Sequence, residues 1–197
     1  MLAAIIAFSL FSAPKPQPCP SRAFEQCADT RDLTANPGFQ AALHEFLGAS
    51  HERLLHGDRP LYDQVMELMA RPDGTVAPHL GDNMRLYAGC RRMACPEKAA
   101  VIVSQHGILA VGLIDYTRGD PALEVIVRRA DDSVWGCEQA LRTWAESAVA
   151  VQAEHDHANT GLHDMRVRAL DQEIAGGPPP ARHGLPSFRS LLTLPHL

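Results

Sequence analysis

Three short apolar runs, each cut off by a turn, constrain this chain more than any other feature in it. AAVIVS (99–104) gives way to the turn-like Gln105-His106-Gly107, and ILAVGLIDY (108–116) gives way to TRGDP (117–121). ALEVIVRR (122–129) closes the series, with Leu123, Val125 and Val127 alternating against Glu124 and Ile126. Links of three to five residues leave no room for a crossover helix, so consecutive runs are expected to pair antiparallel. MRLYAG (84–89) is also β-compatible and precedes them. The result is a meander of about four strands.

On both sides of the meander the hydrophobic period becomes helical. In PGFQAALHEFLGAS (37–50), Phe39, Leu43, Phe46 and Leu47 fall on one face and Gly48 supplies a stop. In GDRPLYDQVMELMARPDG (57–74), Pro60 suits a first turn and Leu61, Val65, Leu68 and Met69 form the stripe. Pro72-Asp73-Gly74 ends that segment. Beyond the meander, Trp135, Ala140, Leu141, Trp144 and Ala148 share a face, with Asp131, Asp132 and Ser133 as capping residues. Helices, then strands, then a helix predict an α+β domain: an antiparallel sheet of about four to five strands flanked by helices. The expected boundaries are residues 1–20 for a signal-like segment and Pro-rich linker, and 21–154 for the domain. Residues 155–197, polar and then Pro- and Gly-rich, are expected to form a disordered tail.

A formal charge of -5 excludes a basic excess able to neutralise phosphates, so nucleic acid is not an expected partner. LAAIIAFSLFSA (2–13) is too short to span a bilayer and fits the apolar part of a secretory signal. Pro14, Pro16, Pro18 and Pro20 would separate such a segment from the domain if it were instead a core helix. The expectation is therefore a periplasmic or secreted protein with no stable membrane span.

Export gives the cysteines their meaning. Of the five, Cys19, Cys27, Cys90, Cys95 and Cys137, one must be left over. Cys19, in the Pro-rich stretch, is the expected odd thiol, and a Cys27–Cys137 bridge would tie the start of the domain to its end. Cys90 and Cys95 would close a very small ring around Arg91, Arg92, Met93 and Ala94. Such a ring constrains the unfolded chain by only about 2 kcal/mol, so global stability is a poor reason for it. Local stiffness is a better one, because a pinned loop loses less entropy on binding. Two guanidiniums on a stiff protrusion suit carboxylate recognition, and Met93 offers an adaptable apolar contact. The alternative is a bridge that only tidies a connection, with both arginines solvated.

GCRRMACPEKAAVIVSQHGILAVGLI (89–114) resembles the inhibitor-of-vertebrate-lysozyme (Ivy) family and its periplasmic relatives. The family combines a secretion signal, one or two helices, an antiparallel sheet with a flanking helix, and a Cys-x4-Cys loop followed by a β-hairpin. Cys90 and Cys95 match the loop cysteines, and the runs at 99–104 and 108–115 match the hairpin; the resemblance covers about 37–150. It implies a non-enzymatic protein that binds a lysozyme or another peptidoglycan hydrolase through residues 90–95; a homodimer is left open. Inhibitory members carry the loop as Cys-Lys-Pro-His-Asp-Cys, and their histidine hydrogen-bonds the catalytic carboxylates of lysozyme. Here Met93 stands at the histidine position and Ala94 at the aspartate position, so Arg91 or Arg92 would have to meet the carboxylates. One alternative is a periplasmic protein of the same fold with a structural or other binding role and no lysozyme inhibition; a second is a thiol–disulfide oxidoreductase, although such enzymes typically use Cys-x-x-Cys at a helix N-terminus.

No catalytic residue, cofactor or metal site is expected. His155, His157 and His163 cluster with Asp156 and Asp164. On a helix, however, His155 and His157 point about 200° apart, so the cluster reads as a solvated helix end rather than a metal site. Ser50-His51 adjacency does not make a triad, whose members must meet in space.

Overall fold

The segments expected to be helical form helices over the central part of each stripe. The computed structural model of the protein describes residues 19–48, 59–74, 78–81, 83–116, 119–128, 134–156 and 161–170. The signal-like run, His51, His56, His157 and the caps at 131–133 lie outside the described residues. Among the described residues four α-helices follow in chain order: α1 (Thr30–Ala35), α2 (Pro37–Leu47), α3 (Leu61–Leu68) and α4 (Val134–Asp156). Helix α2 starts where Asn36 accepts from the amides of Gly38 and Phe39, with Pro37 in the first turn. It stops at Gly48, whose φ of 61° suits a residue without a Cβ.

The strands are β1 (Arg71–Pro72), β2 (Arg85–Cys90), β3 (Lys98–Ser104), β4 (Gly107–Asp115), β5 (Ala122–Val127) and β6 (Asp164–Ala169). They form one six-stranded sheet in sequential order. Strands β1 to β5 pair antiparallel, which for β3 to β5 is what the short links require. β6 pairs parallel to β5, and α4 supplies the long crossover that a parallel pair needs.

β6 corrects the expected domain boundary. Residues 155–197 were expected to be tail, but 164–169 extend the sheet and Leu170 is buried. The reason is electrostatic as well as structural. Glu124, which the sequence sets opposite Leu123, Val125 and Val127, is only 6% exposed. The cross-strand partner of Glu124 is Arg166, whose Nη1 lies 2.9 Å from Oε1. β6 thus covers β5 and supplies the charge that a buried carboxylate requires.

Every residue of β3 and of β5 is buried. Alternate residues serve two different cores. Tyr87, Val101, Val111 and Ile126 pack with Leu33, Phe39, Leu43 and Val65 of α1–α3. Leu86, Ile102, Ile114 and Val125 pack with Leu141, Trp144 and Val149 of α4. The sheet is therefore the middle of three layers, which explains why its strands read as continuous apolar runs.

This layering also corrects the expected disulfide pairing. Cys27 packs in the core on the α1–α3 side and Cys137 in the core on the α4 side. The sheet stands between them, so no Cys27–Cys137 bridge forms. Cys27 is bonded instead to Cys19, the residue expected to be the odd thiol, and Cys137 is a buried thiol. The short N-terminal ring is fixed to the domain by polar contacts. The Tyr87 hydroxyl donates to the Cys27 carbonyl at 2.8 Å, and Asn36 Nδ2 donates to the Cys19 carbonyl at 3.1 Å.

Gly89 marks where the chain after α3 crosses closest to β2. A Cβ there would lie 2.8 Å from the Met69 Cα and 2.9 Å from the Arg71 carbonyl oxygen, both backbone atoms. Gly89→Ala should therefore cost about 1–3 kcal/mol, read as a lower urea midpoint. Gly136→Ala, with nothing within 4 Å of the added carbon, is the matched control and should gain up to about 1 kcal/mol.

Candidate binding loop

The loop grows out of the β2–β3 pair. Cys90 ends β2 directly opposite Lys98, the first residue of β3. Between them the chain turns back on itself: the Arg91 amide donates to the Glu97 carbonyl at 3.1 Å. Inside the turn, the Ala94 amide reaches the Arg91 carbonyl at 3.3 Å and the Glu97 amide reaches the Ala94 carbonyl at 3.1 Å. The Cys90–Cys95 disulfide closes this turn covalently, with Cα atoms 4.8 Å apart. Cys90 is fully buried, so the bridge anchors the loop in the core at one side and leaves Cys95 partly buried at the other.

The two arginines separate in role. Arg91 faces back toward the body: its Nε lies 2.6 Å from Glu67 Oε1 on α3, and its Nη1 lies 2.8 Å from Glu97 Oε2. Glu67 is shared with Arg59, which also ion-pairs with it. Arg91 therefore braces the loop against α3 and is not available as an outward fork. Arg92 is exposed and pairs with no described residue, and Met93 beside it is 92% exposed. Ala94 is half-buried. The outward-facing chemistry of residues 90–95 thus reduces to one guanidinium and one thioether side chain. Sequence reasoning missed the bracing carboxylates. Glu97 could have been found as an acid six residues from Arg91 across a turn, whereas Glu67 becomes a neighbour only through packing.

Lys98 is the other residue that sequence reasoning passed over. It is 8% exposed, and its Nζ lies 3.7 Å from Cys95 Sγ. Burial lowers its pKa from the usual lysine value, partly offset by the charge of Asp73. Elsewhere, His155 is exposed at the end of α4 and His163 is exposed before β6, where its backbone amide bonds Pro121. Among the described residues, no group of three or more His, Cys, Asp or Glu side chains is placed to hold a metal ion.

No family model, curated protein or solved structure matches the chain. A relationship to the lysozyme inhibitors is therefore not identified by likeness to known proteins, and function has to be argued from the loop itself.

The bracing predicts a difference between the two arginines. Arg91→Ala removes two ion pairs of partly exposed groups and should lower stability by about 1 kcal/mol, read by thermal denaturation, while Arg92→Ala stays within about 0.5 kcal/mol. The brace should also respond to pH. Burial pushes the Glu67 carboxyl up, but the Arg59 hydrogen bond and the Arg91 charge outweigh this and hold it below the usual carboxylate value. A depressed folded pKa contributes stability that is complete above the unfolded value of about 4.3 and is lost as pH falls through the folded one. Backbone order parameters for 91–97 should accordingly fall on acidification through that range, and Glu67→Gln should flatten the change.

Proposed function

We propose that the protein is an exported binding protein without enzymatic activity, and that it presents Arg92 and Met93 to the acidic cleft of a cell-wall hydrolase such as a lysozyme. The observation that carries this reading is the loop tip: an unpaired guanidinium and a 92% exposed methionine on a turn that is covalently closed and braced by Arg91. A turn held in this way is ordered before it meets a partner, so little entropy is lost when it docks. Glycosidase clefts place two carboxyl groups within several ångströms of each other, and a guanidinium fork suits such a pair. Met93 adds polarisable apolar area without demanding a hydrogen-bond partner. Two disulfides in a chain of this size fit an oxidising compartment, and among the described residues no helix is long and apolar enough to cross a membrane.

Titration of the oxidised protein against lysozymes of several types tests the proposal. Saturable binding is expected for at least one type, weakened about tenfold by Arg92→Ala, the loss of one charged hydrogen-bonding group. Affinity unchanged in the Arg92→Ala/Met93→Ala double variant would remove the loop tip from the interface.

A further inference from the structure

α4 does not cover its whole face of the sheet. It packs closest over β4 and β5, where Gly112 leaves room for Leu141: a Cβ on Gly112 would lie 2.9 Å from Leu141 Cδ2. Over β2 and the start of β3 the helix leaves a cavity of about 610 Å³. That volume falls within the range of ligand pockets, about 300–1,000 Å³. Its walls are mostly apolar, with Leu80, Met84 and Leu86 facing Trp144 and Ala148. Val151, 68% exposed on α4, and exposed Pro78 also line it, so the cavity opens to the surface through apolar residues.

Two polar groups in this wall lack an adequate partner. Among the described residues Lys98 is the only cation lining the cavity; Asp73 lines it too and its charge acts on Lys98, but no carboxylate of a described residue lies within ion-pair distance of the Lys98 Nζ. Among the described residues its one hydrogen-bond contact is the weak acceptor Cys95 Sγ at 3.7 Å. Trp144 Nε1 is buried and has no hydrogen-bond partner among the described residues. Buried donors of this kind are ordinarily satisfied by protein, water or ligand. The strand register separates the ends of the site. Lys98 sits opposite Cys90, whereas Leu86 lies four residues further along β2, about 13 Å away.

We propose that this cavity binds a free amphiphilic carboxylate, with its apolar body between β2 and α4 and its carboxylate at Lys98. An anionic head supplies the ammonium with a charged acceptor at hydrogen-bond distance, which Asp73 does not, and the apolar body replaces water against Leu86 and Trp144. The site is on the α4 side of the sheet and does not depend on the loop tip having a partner.

Calorimetric titration of the full oxidised chain with dodecanoate, dodecanol and dodecyltrimethylammonium tests this. Dodecanoate is expected to saturate one site, and Lys98→Met, which keeps an apolar chain of similar length, should weaken it about tenfold or more while leaving dodecanol within about twofold. Cys137 lines the same cavity, so dodecanoate should also slow alkylation of its thiol. Absence of saturable dodecanoate binding, equal affinity in Lys98→Met, or equally tight binding of dodecyltrimethylammonium would each overturn the proposal. Unaltered Cys137 alkylation at saturating dodecanoate would overturn the placement of the site.

Discussion

A sheet with no polar face has to be covered on both sides, and the rest of this structure answers that requirement. β3 and β5 bury every residue, so water cannot be the neighbour of either face. Helices α1–α3 cover one side and α4 the other. Burying apolar area at roughly 25 cal/mol per Å² makes each layer strongly favourable, and neither core can form without the sheet between them. The same division decides the covalent chemistry. Cysteines on opposite sides of the sheet cannot meet, so each bridge joins residues on one side or at one end.

Covering both faces also buries groups that a one-sided sheet would leave in water. Glu124 meets Arg166 across the β5–β6 pair. Thr30 Oγ1 donates to the Ala88 carbonyl at 2.7 Å, from α1 to β2. The Tyr87 hydroxyl reaches the backbone of the N-terminal ring. The Tyr87 contact ties the segment before α1 to the sheet, so the Cys19–Cys27 ring is part of the domain rather than of a linker. An unpaired polar group in these positions would cost about 1–3 kcal/mol, comparable with a substantial part of the net stability of a small domain.

The two proposed sites are both consequences of how the cover ends. At the end of β2 and β3 the chain leaves the layers, and the disulfide, the backbone turn and the Arg91 brace fix how it does so. Beneath α4 the cover is incomplete, because the helix crosses over β4 and β5 and leaves part of β2 beside a cavity. Lys98 belongs to both places. It is the first residue of β3, it touches Cys95 in the loop, and it lines the cavity. An occupant at Lys98 would therefore sit against the root of the loop.

The sequence by itself determined the helices α2, α3 and α4, the strands β2 to β5 and their antiparallel order. Those features depend on hydrophobic period and link length, which are local properties of the chain. It also determined that Cys90 and Cys95 lie close enough to bridge. Only the tertiary structure decided that Cys27 bonds Cys19, that β6 joins the sheet, that Arg91 turns inward while Arg92 stays outside, and that Lys98 is buried beside a cavity. DMRVRA (164–169) does alternate polar and apolar residues, a strand signal that lay in the expected tail, but its pairing beside β5 is set by Glu124, some forty residues earlier. Glu67 and Arg91 meet because α3 packs under β2. Partners so distant in sequence leave no periodic trace, since what brings them together is the packing of layers rather than the repeat of any one element.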